Sequence, residues 1–115
     1  MKVLVVDDSR EMRQTIRSLL DDSSEIYECS DGSEVLREYA KVLPDWVLMD
    51  IKMKRMNGIA ATRELLAKYP DARVVMLTQY GDKELREAAR QAGASDYVCK
   101  ENLLDVRTIL SAVSK

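Results

Sequence analysis

The sequence predicts an α/β fold: a doubly wound parallel sheet built from five βα units. Short β-type runs alternate with amphipathic helical stretches. Three of those runs are apolar almost throughout, as strands covered on both faces must be. Cap and stop signals bound the helices between them. Five units in 115 residues imply right-handed crossovers, helices on both faces, and one domain over 1–115 with a single core.

The strands are predicted at Lys2–Val6 (KVLVV), Glu25–Cys29 (EIYEC), Trp46–Met49 (WVLM), Arg73–Leu77 (RVVML) and Asp96–Cys99 (DYVC). EIYEC alternates more than the others and reads as an edge strand. Ser9 caps a first helix with an apolar face of Met12, Ile16, Leu19 and Leu20. Asp31 with Glu34 forms a capping-box pattern ahead of Val35, Leu36 and Tyr39. Asn57-Gly58 opens a third helix, and Pro70 follows its end. The fourth, after Gly81, buries only Leu85, Ala88, Ala89 and Ala92 before Gly93 stops it. A fifth, from Asn102, packs Leu103, Val106, Leu110 and Val113, with Leu104 and Ile109 off that stripe.

Composition excludes several functions. Eighteen basic against 20 acidic residues, a net charge of -2, give no global pull toward nucleic acid. The apolar runs are too short to span a membrane, and MKVLVVDDS turns acidic too early for a signal peptide, so the cytoplasm is expected. With no His, Ser-His-Asp and Cys-His catalysis are absent in their usual forms, and two cysteines cannot build an ordinary zinc site. Cys29 and Cys99 read as small buried thiols in a reducing compartment.

Sheets of this kind place their sites outside the C-terminal ends of the strands. There the sequence sets Asp7 and Asp8, Asp50, Thr78 and Lys100, after the first, third, fourth and fifth strands. Three carboxylates at adjacent strand ends repel one another, and a hard divalent cation, with Mg²⁺ best suited to oxygen ligands and water, resolves that. Beside such a cation Asp50 is a nucleophile able to attack phosphorus. The Lys100 ammonium and Thr78 hydroxyl suit the equatorial oxygens of a transferring phosphoryl group.

LVVDDS, VLMDIKMKRMNG, VVMLT and GASDYVCK, in this order and spanning nearly the whole chain, resemble the receiver domain of bacterial two-component response regulators, the CheY-like superfamily. The resemblance implies a flavodoxin-like (βα)5 fold with the family's strand order 2-1-3-4-5. It implies a signalling phosphoprotein rather than an enzyme: Asp50 accepts a phosphoryl group from a histidine kinase or phosphotransfer protein. Asp8 would ligate Mg²⁺ directly, Asp7 largely through water, with Asp50 and the Lys52 backbone carbonyl completing the set. Thr78 and Lys100 would contact the phosphoryl group. Tyr97 stands where the family has its switch aromatic. It would rotate as Thr78 moves, remodelling the face of the fourth helix, fifth strand and fifth helix for a downstream target, an output domain or a homodimer. Neither nucleic acid nor membrane is an expected direct partner of this segment.

The sequence departs from the family at two prolines, replaced by Lys54 and Glu101, and at Gln79, where a small residue is usual. A trans Lys100-Glu101 bond would bring Lys100 in by another path, and a cis one costs about 3–4 kcal/mol. Lys52, Gln79 and Tyr80 occupy positions that tune dephosphorylation, and a cationic Lys52 with a bulky Tyr80 predicts a slowed reaction. The cluster Lys52, Lys54 and Arg55 reads as a solvated loop that can also steer an anionic phosphodonor. Three alternatives compete. A haloacid-dehalogenase-like phosphatase needs an acid two residues after Asp50, where Lys52 stands. A non-phosphorylated interaction module typically lacks one of the residues retained here. The third is the excised receiver of a larger regulator whose DNA-binding domain lies elsewhere, since no helix-turn-helix fits within these 115 residues; a native stop codon after Lys115 would favour a single-domain regulator acting by protein contact.

Overall fold

The structure, a computed structural model, describes residues 1–20, 22–53, 55–79 and 83–113, the side chains of 112 and 113 excepted. Lys54, Tyr80, Gly81 and the Val113 side chain, each given a part above, lie outside the described residues. Strands β1 (Lys2–Val6), β2 (Glu25–Cys29), β3 (Trp46–Asp50), β4 (Val74–Thr78) and β5 (Asp96–Cys99) alternate with helices α1 (Arg10–Leu19), α2 (Val35–Val42), α3 (Gly58–Lys68), α4 (Lys83–Gln91) and α5 (Leu104–Val113). All neighbouring strands pair in parallel, in the order β2-β1-β3-β4-β5. EIYEC is an edge strand, as its alternation predicts.

The sheet separates two apolar layers because successive side chains point to opposite faces. Leu4, Val6, Val47, Met49, Val74 and Met76 pack with Val35, Leu65 and Ala89 on the α2–α3–α4 side. Val3, Val5, Leu48, Val75 and Leu77 pack with Ile16, Val106 and Leu110 on the other. Every residue of β3 and β4 is buried, which accounts for their continuous apolar runs.

Three strand limits shift by one residue. β3 runs on through Asp50, and β4 drops Arg73 and takes in Thr78. Ladder pairing carries both polar residues, Asp50 beside Leu77 and Thr78 beside Cys99. Ser9 and Asn57 cap α1 and α3 through Met12 N–H (3.2 Å) and Ala60 N–H (2.8 Å). The capping box before α2 is not reciprocal. Asp31 caps a 3₁₀ turn at Gly32–Glu34, and Glu34 accepts from Ser30 N–H rather than from Asp31. The last helix starts after a 3₁₀ turn at Lys100–Asn102, and Ile109 is half-buried against the second layer. Leu104 stays exposed.

Candidate functional site

Parallel strands ending in register bring their last residues to one edge of the sheet. Asp7 follows β1 directly and its side chain is fully buried, while Asp8 is exposed. Asp7 Oδ1 accepts from the Ser9 N–H at 2.8 Å, so the cap that starts α1 also orients this carboxylate. Asp50 and Thr78 end β3 and β4, both buried. Lys100 comes in from the 3₁₀ turn after β5, through a trans peptide bond to Glu101. Its Nζ lies 3.0 Å from Asp7 Oδ2 and 3.1 Å from Asp50 Oδ1. A cavity of about 250 Å³ opens over these groups, lined also by Asp8, Lys52 and Gln79. Gln79 is exposed, so its long side chain stands at the mouth.

Burial, and then the charge of Asp7, push the Asp50 carboxyl above the usual carboxylate range; Lys100 only partly offsets this. For Lys100, burial works to lower the ammonium's pKa. Its contacts with Asp7 and Asp50 outweigh burial and hold it above the ordinary lysine value. The site is therefore a buried anion–cation–anion arrangement with more negative charge than one lysine neutralises.

The residues fit a hard cation. One carboxylate oxygen each from Asp7, Asp8 and Asp50 lie within 4.8 Å of one another. Two oxygens on one Mg²⁺ are at most about 4.2 Å apart, so carboxylates gathered this closely can share one ion directly or through its waters. Asp7 Oδ2 is buried without a hydrogen-bond donor of good geometry, its ammonium neighbour notwithstanding, and retains lone pairs for such a role.

Three residues that shape the site escaped the sequence reading. Arg13 Nη1 donates to the Asp7 carbonyl at 2.6 Å, while its Nε pairs with Glu28 on β2 at 2.8 Å. The only signal was its place one turn into α1. Gly58 sits against the end of β3, where a Cβ would meet the Asp50 carbonyl oxygen at 2.0 Å. Asp31, read as a cap, also accepts from backbone amides of the loop after Asp50. Tyr97 is half-buried, with the Arg86 guanidinium 5.2 Å from its ring centre. Cys29 and Cys99 are free thiols; Cys29 is buried as expected, whereas Cys99 is only partly buried, and burial pushes the Cys29 thiol up to about 12, which leaves it unreactive.

The family model of the response regulator receiver domain matches residues 3–114. The chain belongs to that family. This receiver domain is 38% identical over 116 residues to protein CcdB of Bacillus subtilis, covering 99% of this chain and 95% of that protein. It is 34% identical over 117 residues to chemotaxis protein CheY of Listeria monocytogenes, covering 100% and 97%. Among solved structures, Vibrio cholerae chemotaxis protein CheY4 superposes with a TM-score of 0.88 at 28% identity, covering 97% of each chain. No helix among the described residues is long and apolar enough to cross a membrane.

Proposed function

We propose that this receiver domain, as a single unit over 1–115, is a phosphoacceptor that takes a phosphoryl group on Asp50 from the phosphohistidine of a kinase or phosphotransfer protein. The observation that carries the reading is the Lys100 ammonium held 3.0 and 3.1 Å from two buried carboxylates at the floor of an open cavity. An Asp50 carboxylate oxygen forms the new O–P bond. The donor's P–N bond breaks, and the imidazole leaves with the bonding pair and takes up a proton. Lys100 meets the phosphoryl oxygens as the Asp50 negative charge moves onto them, and the Thr78 hydroxyl donates to another. Asp7, Asp8, Asp50 and the Lys52 carbonyl would hold Mg²⁺, which when bound screens the acidic cluster and polarises the phosphoryl oxygens.

Phosphorylation draws Thr78 toward Asp50 and lets Tyr97 turn inward, altering the α4–β5–α5 face that a protein target, an output domain or a second copy would read. The small side chains under α4, Ala88, Ala89 and Ala92, suit a weakly anchored helix whose position one new contact biases. We place the domain in the cytoplasm, where such kinases present their phosphohistidine. The test is intact mass after incubation with acetyl phosphate and Mg²⁺, beside Asp50→Asn. One Mg²⁺-dependent phosphoryl adduct, absent from the variant, is expected. Without an adduct at saturating Mg²⁺, the chain would instead be a non-phosphorylated interaction module.

A further inference from the structure

The loop between Asp50 and α3 is held at two points. At its base the Gly58 N–H donates to the Ile51 carbonyl at 2.7 Å. Across its flank stands Asp31, just beyond β2 on the far side of β1, with only 8% of its surface exposed. Asp31 Oδ2 accepts from the Arg55 N–H at 2.9 Å, and Oδ1 accepts from Met56 N–H at 3.2 Å and Ser33 N–H at 2.9 Å. One carboxylate thus binds three backbone amides, two of them in a loop more than twenty residues away in sequence. Gly32 admits the same contact from the other side: a Cβ there would stand 2.6 Å from the Met56 carbonyl oxygen. A single helix cap needs one amide. The other two bonds serve the loop.

We infer that Asp31 is a positioning residue for the cation site, fixing the loop that carries the Lys52 carbonyl toward Asp7, Asp8 and Asp50. This rests on the phosphoacceptor reading above. The loop leaves the sheet at Asp50, passes Lys52 at the cavity and reaches Asp31 three residues later at Arg55. With both ends of that short span held, the carbonyl between them has little freedom. Groups that orient metal ligands from behind typically change affinity 10–100-fold when removed.

The test is calorimetric titration with Mg²⁺ alone of wild type, Asp31→Ala and Asp31→Asn, each checked for native circular dichroism, with amide exchange followed at Arg55 and Met56. Asp31→Ala is expected to weaken Mg²⁺ about tenfold and to speed exchange at both amides. Asp31→Asn falls between, since its oxygen still accepts from Ser33 and Met56 while its NH₂ faces the Arg55 N–H. If Asp31→Ala does not fold, Asp31→Asn decides. Folded variants with the wild-type dissociation constant overturn the inference, even if they melt earlier, because a purely structural role predicts that pattern. Wild type that does not bind Mg²⁺ at all overturns the cation site and this inference with it.

Discussion

Replacing Gly58 by alanine sets two effects of opposite sign against each other. Gly58 is the first residue of α3, and alanine is the better helix former by about 0.8–1.0 kcal/mol in a helix interior, less at its first turn. Propensity alone therefore predicts a small gain. Packing predicts the reverse. The added Cβ would stand 2.0 Å from the Asp50 carbonyl oxygen and 2.9 Å from both the Asp50 carbonyl carbon and Met49 Cγ. A relaxed C···O contact is about 3.3 Å or more, so α3 or the end of β3 has to retreat by more than about 1 Å. The nearest atom is backbone within a buried strand, and no rotamer change relieves it. Overpacking of this kind costs about 1–3 kcal/mol, and a backbone clash belongs at the upper end or beyond. The net expectation is destabilisation by about 2 kcal/mol, which for a domain of this size is a fall in Tm of roughly 8 °C. The retreat also displaces Asp50, so phosphorylation by acetyl phosphate should slow even at temperatures where the variant is folded. Urea and thermal unfolding of Gly58→Ala beside wild type measure the first effect, and intact mass over time the second. A Tm equal to or above that of wild type would refute the packing argument and leave propensity in control.

The remaining predictions concern the charges at the site. Asp50→Asn should raise Tm in Mg²⁺-free buffer at neutral pH. The folded-state pKa of Asp50 lies above its unfolded value, so the ionised carboxylate costs stability there. That cost fades as pH falls through the folded value, and the variant's advantage over wild type should shrink with it in melts from pH 7 to pH 4; an advantage constant with pH would rule the explanation out. Lys100→Met leaves Asp7 and Asp50 facing each other without a cation, and should lower stability by about 2–4 kcal/mol in chelator, with Mg²⁺ restoring part of the loss in urea titrations. The double variant Lys52→Asn, Tyr80→Glu should shorten the lifetime of the phosphoryl adduct, read from the decay of its mass after phosphodonor is removed; an unchanged lifetime would show that these two side chains do not govern access of water.

Much of this architecture is local and was readable as such. The apolar runs at β1, β3 and β4 are continuous because both faces of those strands are buried, and that chemistry is written residue by residue. Ser9 and Asn57 cap their helices with side chains that reach only three residues on, so sequence spacing suffices to find them. The convergence of Asp7, Asp8, Asp50 and Lys100 was legible because parallel strands share one C-terminal edge. Each residue needed only to stand at the end of its own run.

What sequence spacing could not supply was the set of contacts between segments distant in the chain. Asp31 satisfies the rule for a cap, and the backbone amides it binds in the loop after Asp50 carry no side-chain identity to betray them. Gly58 looks like an ordinary helix start until the end of β3 is packed against it. Arg13 becomes a link between β2 and the Asp7 carbonyl only because α1 crosses that edge of the sheet. Whether the loop without its proline still delivers Lys100 was likewise open, and the distances to two carboxylates answer it. Sequence alone determined the elements and which polar residues stand at their ends, because propensity, capping and burial act within a few residues. The tertiary structure decided how those ends are held, because close backbone approach and bonds to main-chain amides arise only when separate units pack.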